Sequence, residues 1–208
     1  IQLPTGYGKC SGLTIHDNTT VKGHGDRTIL LLTGSSNKNL IQSDAYGHPT
    51  NWNKGIIIRD LMLNGNRDNQ SATLHPQAYL TADFTVGTDS VMSVDSTANF
   101  PSSGTICVGY QTVSYTGKTS TTFTGVTGTS AGLIKRGAWV TPTSPLGHLI
   151  AIQGRRSRIN NVYGMGAAGS GIYLQGPYAG DYQPENVIEN TRMEQCNRFG
   201  YEIGENCS

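Results

Sequence analysis

Apolar residues in this chain fall in short runs, and each run is closed by a turn residue. Gly12-Leu13-Thr14-Ile15 ends at Asp17-Asn18, Thr20-Val21-Lys22 at Gly23-His24-Gly25, and Thr28-Ile29-Leu30-Leu31-Leu32 at Gly34-Ser35. Asn39-Leu40-Ile41, Gly55-Ile56-Ile57-Ile58 and Leu61-Met62-Leu63 follow, the last closed by Asn64-Gly65-Asn66. Such runs are too short for helices, and Gly, Asn and Asp at their ends are the punctuation of strands and turns. The pattern predicts a succession of short β-strands.

Two stretches also repeat at one spacing. Ile159-Asn160-Asn161-Val162 recurs as Ile188-Glu189-Asn190-Thr191, and Gly171-Ile172-Tyr173-Leu174 recurs as Gly200-Tyr201-Glu202-Ile203, at an offset of 29 in both cases. A period in the twenties built from strands is the mark of a solenoid. The expected fold is all-β, a right-handed parallel β-helix. Each turn contributes about three short strands, and inward Ile, Leu and Val stack into one core. The same phrase occurs upstream as Ile58-Arg59-Asp60-Leu61, 101 residues before Ile159. That spacing exceeds one period by roughly 70 residues, so an insertion within the coil is expected.

Between Ala78 and Val140 the grammar changes accordingly. Val91–Val94 leads into Phe100–Gly104, and Thr105–Gly109, Thr112–Gly117 and Thr121–Gly125 follow, a Thr-, Val- and aromatic-rich series with Gly turns that reads as antiparallel hairpin strands. His148-Leu149-Ile150-Ala151-Ile152 then resumes the earlier style. The predicted organisation is first β-helix rungs over 1–77, an inserted small antiparallel β domain over 78–141, and continued β-helix over 142–208.

Composition narrows the function. Only 14% of residues are charged and the formal net charge is +1, which lacks the basic footprint of a nucleic-acid binder. An uncharged polar surface suits a glycan. Cys10, Cys107, Cys196 and Cys207 show no C-x-x-C spacing. Cys196 and Cys207 either pair or remain free thiols. His16, His24, His48, His75 and His148 lack metal-ligand spacing, so no metal and no cofactor is expected. No apolar run has the length of a membrane span, about 18 residues or more, and membrane insertion is not expected. The start at Ile1, in what reads as mid-strand, suggests a piece of a longer protein.

Leu3-Pro4-Thr5-Gly6, Leu13-Thr14-Ile15 and Thr20-Val21-Lys22-Gly23-His24-Gly25-Asp26-Arg27-Thr28-Ile29-Leu30 resemble the start of a β-helix of the pectate-lyase superfamily. Leu63-Asn64-Gly65-Asn66 resembles that family's post-strand turn. In the insert, Phe100-Pro101-Ser102-Ser103-Gly104, Tyr115-Thr116-Gly117 and Thr121-Thr122-Phe123-Thr124-Gly125 resemble a small β module of bacteriophage tail and fibre proteins. Gln111 and Val126-Thr127-Gly128 stand where that module often has Glu and a Cys-Thr-Arg-Gly ending. Together the two resemblances imply a phage tailspike or tail fibre. They imply a virion-tail location, with a secreted bacterial protein as the alternative. The implied partners are bacterial surface polysaccharide, two further copies in a homotrimer, and other tail proteins.

Individual motifs divide between site and scaffold. Gly164-Met165-Gly166-Ala167-Ala168-Gly169 matches the dinucleotide fingerprint, but the strand-like Ile172-Tyr173-Leu174 follows where a phosphate-binding helix is required. A tight corner is expected there. Asp60, Asn161 and Asn190 hold equivalent rung positions, either as a row of ligands or as a ladder of side chains bonded along the stack. Alternation sends Tyr173 and, one rung on, Glu202 outward, with Ala151 one rung before. Tyr173 could stack on a sugar while Glu202 supplies a carboxylate. Arg155, Arg156 and Arg158 could meet an anionic sugar, and Asp181 and Tyr182, in the Pro177–Pro184 loop, could contact a glycan. Tyr173, Glu202, Arg155, Arg156, Asp181 and Tyr182 are thus the candidate carbohydrate contacts, and no catalytic set emerges. The expected function is polysaccharide binding. The alternatives are a lyase or glycoside hydrolase with its catalytic rungs elsewhere, and a purely structural fibre component.

Overall fold

The computed structural model describes residues 1–47, 51–71, 76–109, 111–128, 131–142, 146–175 and 185–203. In chain order the strands are β1 Gly6–Cys10, β2 Leu13–Ile15, β3 Thr20–Leu32, β4 Ile41–Ser43, β5 Asn53–Lys54, β6 Ile57–Asn64, β7 Ala78–Tyr79, β8 Phe84–Val86, β9 Val91–Ser93 and β10 Gly104–Val108. They continue as β11 Gln111–Tyr115, β12 Gly117–Lys118, β13 Thr122–Thr124, β14 Gly132–Ile134, β15 Trp139–Pro142, β16 Ile150–Arg155, β17 Arg158–Met165, β18 Ile172–Gln175, β19 Val187–Glu194 and β20 Tyr201–Ile203. Among the described residues the one helical element is a single 3-10 turn at Arg67–Asn69, so the fold is all-β. No helix among them is long and apolar enough to cross a membrane. The chain divides into two compact units, Ile1–Ser71 with Leu146–Ser208, and Ala72–Pro145.

In the first unit every pairing between the described strands is parallel. One sheet runs β1-β3-β6-β17-β19 and the other β2-β4-β16-β18-β20, with β5 beside β16. The path alternates between the two sheets: a strand of one sheet is the crossover joining two neighbours of the other. That economy replaces the helix a parallel pair usually needs. The 29-residue echo is a ladder register. Ile159 sits between Ile58 and Ile188, Tyr201 beside Ile172, and Glu202 beside Tyr173.

The core of this unit includes Val21, Ile58, Ile159, Ile41, Ile150 and Ile172, all at most 1% exposed. Burying each such side chain contributes about 1.5–3 kcal/mol. Ile150 is the register partner of Ile41 on one side and of Ile172 on the other, so the apolar column continues from strand to strand.

Two pairs of apolar runs that the sequence separates are each one strand. Thr20–Lys22 and Thr28–Leu32 both belong to β3, because register shifts between Lys22 and Gly25 and between Gly25 and Ile29 absorb the intervening residues. Ile58 and Leu61 both belong to β6, because Asp60 turns left-handed (φ 59°) while pairing continues on either side. Asn161 and Asn190 adopt the same conformation, at φ 51° and 50°. Asn161 Nδ2 donates to Asp60 Oδ1 at 2.9 Å. Asx residues tolerate this backbone better than other residues with a Cβ, and the side-chain bond ties one bend to the next. The Asx ladder is therefore real between Asp60 and Asn161.

The glycine-rich segment makes a corner. Gly164 and Met165 close β17, Gly166 turns at φ +64°, Ala167 and Ala168 are buried, and β18 follows with no helix between. Gly171 meets its 29-residue counterpart closely: a Cβ there would lie 2.6 Å from the Gly200 carbonyl oxygen.

The second unit is antiparallel, with sheets β11-β10-β15-β7, β12-β13-β9 and β14-β8. Phe123 is fully buried, with Phe100 (5.1 Å between ring centroids) and Tyr115 (4.7 Å) packed edge-on against it. Tyr115 Oη donates to the Pro101 carbonyl at 2.9 Å. The Phe-Pro, Tyr-Thr-Gly and Thr-Phe-Thr-Gly segments singled out in the sequence thus converge on one aromatic core.

Candidate functional site

Alternation along a strand sends every second side chain outward. On β17 and β19 those residues are Tyr163 and, as its register partner, Arg192, with Glu194 two residues further on. Met62 of β6 is the partner of Tyr163 on its other side. These outward residues border an open groove of about 400 Å³, lined by Gly25 and Asp26 of β3, Leu61 and Met62 of β6, Asn161, Val162 and Tyr163 of β17, and Asn190 and Arg192 of β19. The groove crosses four consecutive strands of one sheet. At roughly 4.8 Å per strand, that is a run of roughly 14 Å along the stack.

The polar groups of the groove are held in place. Tyr163 Oη donates to Glu194 Oε2 at 2.6 Å, Arg192 pairs with the other carboxylate oxygen, and the Arg192 guanidinium lies 5.9 Å from the Tyr163 ring centroid. The Tyr163 hydrogen bond, helped by Arg192 and opposed by desolvation, holds the Glu194 carboxyl below its ordinary range. The same bond raises the Tyr163 hydroxyl above its own. Arg192 is consequently charge-balanced. The groove offers a fixed aromatic ring, an ion pair and two Asx bends (Asn161 and Asn190), with the exposed Asp26 carboxylate also in its lining.

The described residues among the carbohydrate contacts predicted from sequence lie outside this groove. Tyr173 is half-buried in the other sheet, stacked on His148 (5.0 Å, 19° between planes) and met edge-on by Tyr46 (5.8 Å). Ala151, its register neighbour, is buried. Glu202 does stand beside Tyr173, yet both carboxylate oxygens are engaged, Oε1 by Arg198 at 2.8 Å and Oε2 by the Ser170 hydroxyl at 2.6 Å. Its side chain is 15% exposed. Arg155 ends β16, and Arg156 follows in a left-handed turn with its guanidinium on Glu185 at 2.9 Å. Arg158 opens β17 and is exposed. Asp181 and Tyr182 lie outside the described residues, as do His48, His75 and Cys207. Cys10, Cys107 and Cys196 are not in disulfides, and burial pushes the Cys196 thiol up.

Sequence reasoning named Tyr173 and passed over Tyr163. The signal was available, because the 29-residue offset that aligns Asn161 with Asn190 also aligns Tyr163 with Arg192. Among the described residues no group of three or more His, Cys, Asp or Glu side chains could hold a metal ion. Comparison with known proteins finds no matching family, no matching curated protein and no matching solved structure.

Proposed function

We propose that this chain is a segment of a virion tailspike or tail fibre, built on a right-handed parallel β-helix of the pectate-lyase type, that binds bacterial surface polysaccharide. The observation that carries this reading is the groove across β3, β6, β17 and β19, whose long direction follows the stack. A linear polymer lying there meets equivalent positions of successive strands, so one sugar after another finds the same spacing. Tyr163 supplies an aromatic surface for a pyranose ring, and the Arg192–Glu194 pair and Asn161 supply hydrogen-bonding groups at its rim. Assembly as a homotrimer within the tail would multiply weak single-site affinity into avidity.

The test is direct. The chain is titrated with capsule and lipopolysaccharide fragments from candidate hosts, alongside Tyr163→Ala. The reading requires saturable binding that Tyr163→Ala weakens about tenfold, or about 1.4 kcal/mol. Binding unaffected by that change, or no binding to any bacterial polysaccharide, would overturn it.

A further inference from the structure

Both ends of the first unit's stack present unpaired strand edges. Among the described residues, β19 and β20 have no neighbour beyond them in their sheets, and neither have β1 and β2 at the opposite end. The β19–β20 end also leaves core positions open. Tyr201 and Ile203 are the register partners of Ile172 and Leu174, which are 0% and 4% exposed, yet they are themselves 45% and 56% exposed. The Tyr201 hydroxyl donates to the Thr191 carbonyl at 2.9 Å, so this side chain reaches from one sheet to the other across that end. At the β1–β2 end, Leu3, Cys10 and Leu13 are partly buried and pack on the same core, and Tyr7 is exposed. An unpaired edge beside apolar side chains is a template for a further strand.

We propose that the strand taken up there is a second copy of this chain, whose β1 and β2 continue the two sheets beyond β19 and β20 in the same parallel sense. The ladder registers fix the partners. Tyr7, Ile29, Met62, Tyr163 and Arg192 fall in one column, and Lys9, Leu31, Asn64, Met165 and Glu194 in another. In that register the next copy sets its Tyr7 over Arg192 and its Lys9 over Glu194, a cation–aromatic contact and an ionic one. In the other sheet Leu13, Ile41, Ile150, Ile172 and Tyr201 share a column, so Leu13 of the next copy covers Tyr201. Charge selects this pairing over others. β19 and β20 carry Glu189, Glu194 and Glu202 against Arg192 alone, whereas β1 and β2 carry Lys9 and no acid. Like ends repel and unlike ends attract. The contact joins two different surfaces along the stack, so copies add in series rather than closing on themselves. The Met62–Tyr163–Arg192 column of the groove then runs on into Tyr7 of the next copy, but the contact itself needs no ligand in the groove.

Sedimentation velocity on the 208-residue chain, with no glycan present, tests the proposal. The mean mass is expected to rise with concentration through a series of oligomers. Two variants each block one end. Lys9→Glu sets a carboxylate over Glu194, and Ile203→Lys sets an ammonium on the open core position; both residues are exposed, so circular dichroism should show the fold retained. Each variant alone should associate about tenfold more weakly than the unaltered chain. Their equimolar mixture should regain the original affinity but stop at a single end-to-end pair, because only one intact end of each kind remains. A mass that does not change with concentration, a folded variant that associates with itself undiminished, or a mixture no stronger than its components would overturn the proposal. None of these outcomes alters the polysaccharide titration with Tyr163→Ala, so a failure here is distinct from a failure of the groove reading.

Discussion

Asn161 is the place where the stack can be interrogated with one residue. Its backbone sits at φ 51° and its side chain bonds Asp60 across the stack at 2.9 Å. Replacing it with Ala removes both accommodations. A residue with a Cβ and no local polar group costs about 1–2 kcal/mol in the left-handed region. The lost hydrogen bond adds about 0.5–1.5 kcal/mol, so Asn161→Ala should destabilise the first unit by about 2–3 kcal/mol. Asn161→Gly loses the same bond but adopts the backbone freely, with only the unfolded-state entropy of glycine against it, about 0.5–1 kcal/mol. Glycine should therefore be the milder change by about 1 kcal/mol. Urea titration provides the measurement, followed by Trp52 fluorescence in a Trp139→Phe background so that the signal comes from the first unit. The slope should be unchanged, so that the midpoint shift reports stability. If Ala and Gly cost the same, or if Ala costs under about 0.5 kcal/mol, the left-handed bend is not what holds Asn at this position.

Other outcomes follow from the same packing. Ile159→Ala empties a place between Ile58 and Ile188 and should cost about 2–5 kcal/mol, while Phe123→Ala should cost about 3–5 kcal/mol. Hydrogen exchange should place each loss within its own unit. Desolvation, the largest single influence on Asp44, pushes its carboxyl up, yet the bonds to Asn53 and His16 together bring it below the ordinary range. Its contribution is therefore present above the ordinary aspartate range and lost as pH falls through the lowered value. Asp44→Asn should flatten the Tm–pH curve on the acid side of the ordinary aspartate range. If the polysaccharide bound in the groove is anionic, Glu194→Gln should leave Arg192 without this counter-charge and make that binding more sensitive to salt, measured as the slope of affinity against ionic strength.

Much of the fold was legible because it is periodic. The 29-residue offset predicted register pairs such as Ile159 with Ile188 and Tyr173 with Glu202, and parallel pairing places them side by side. Where the sequence misleads, a left-handed or bulged residue reads as a break. Asp60 looks like a turn between two strands, but a single residue at φ 59° bends a strand without ending its ladder. Gly23-His24-Gly25 reads as a turn for the same reason, and β3 passes through it by shifting register.

The candidate sites were less legible, and the reasons differ. Alternation correctly put Tyr173 and Glu202 in one row, but it says nothing about what covers that row. His148 and Tyr46 pack on the tyrosine, and Arg198 and Ser170 occupy the glutamate, all from segments outside the row's own strands. The Tyr163 row follows from the same arithmetic and remains open. A second recess of the same unit, at Trp52, has no periodic signature at all. It joins His16 and Asp17, after β2, to Asp44 and Asn53, after β4, through a buried amide that bonds residues 36 and 9 positions away. A repeat reveals what recurs, and a recess made by one irregular excursion recurs nowhere.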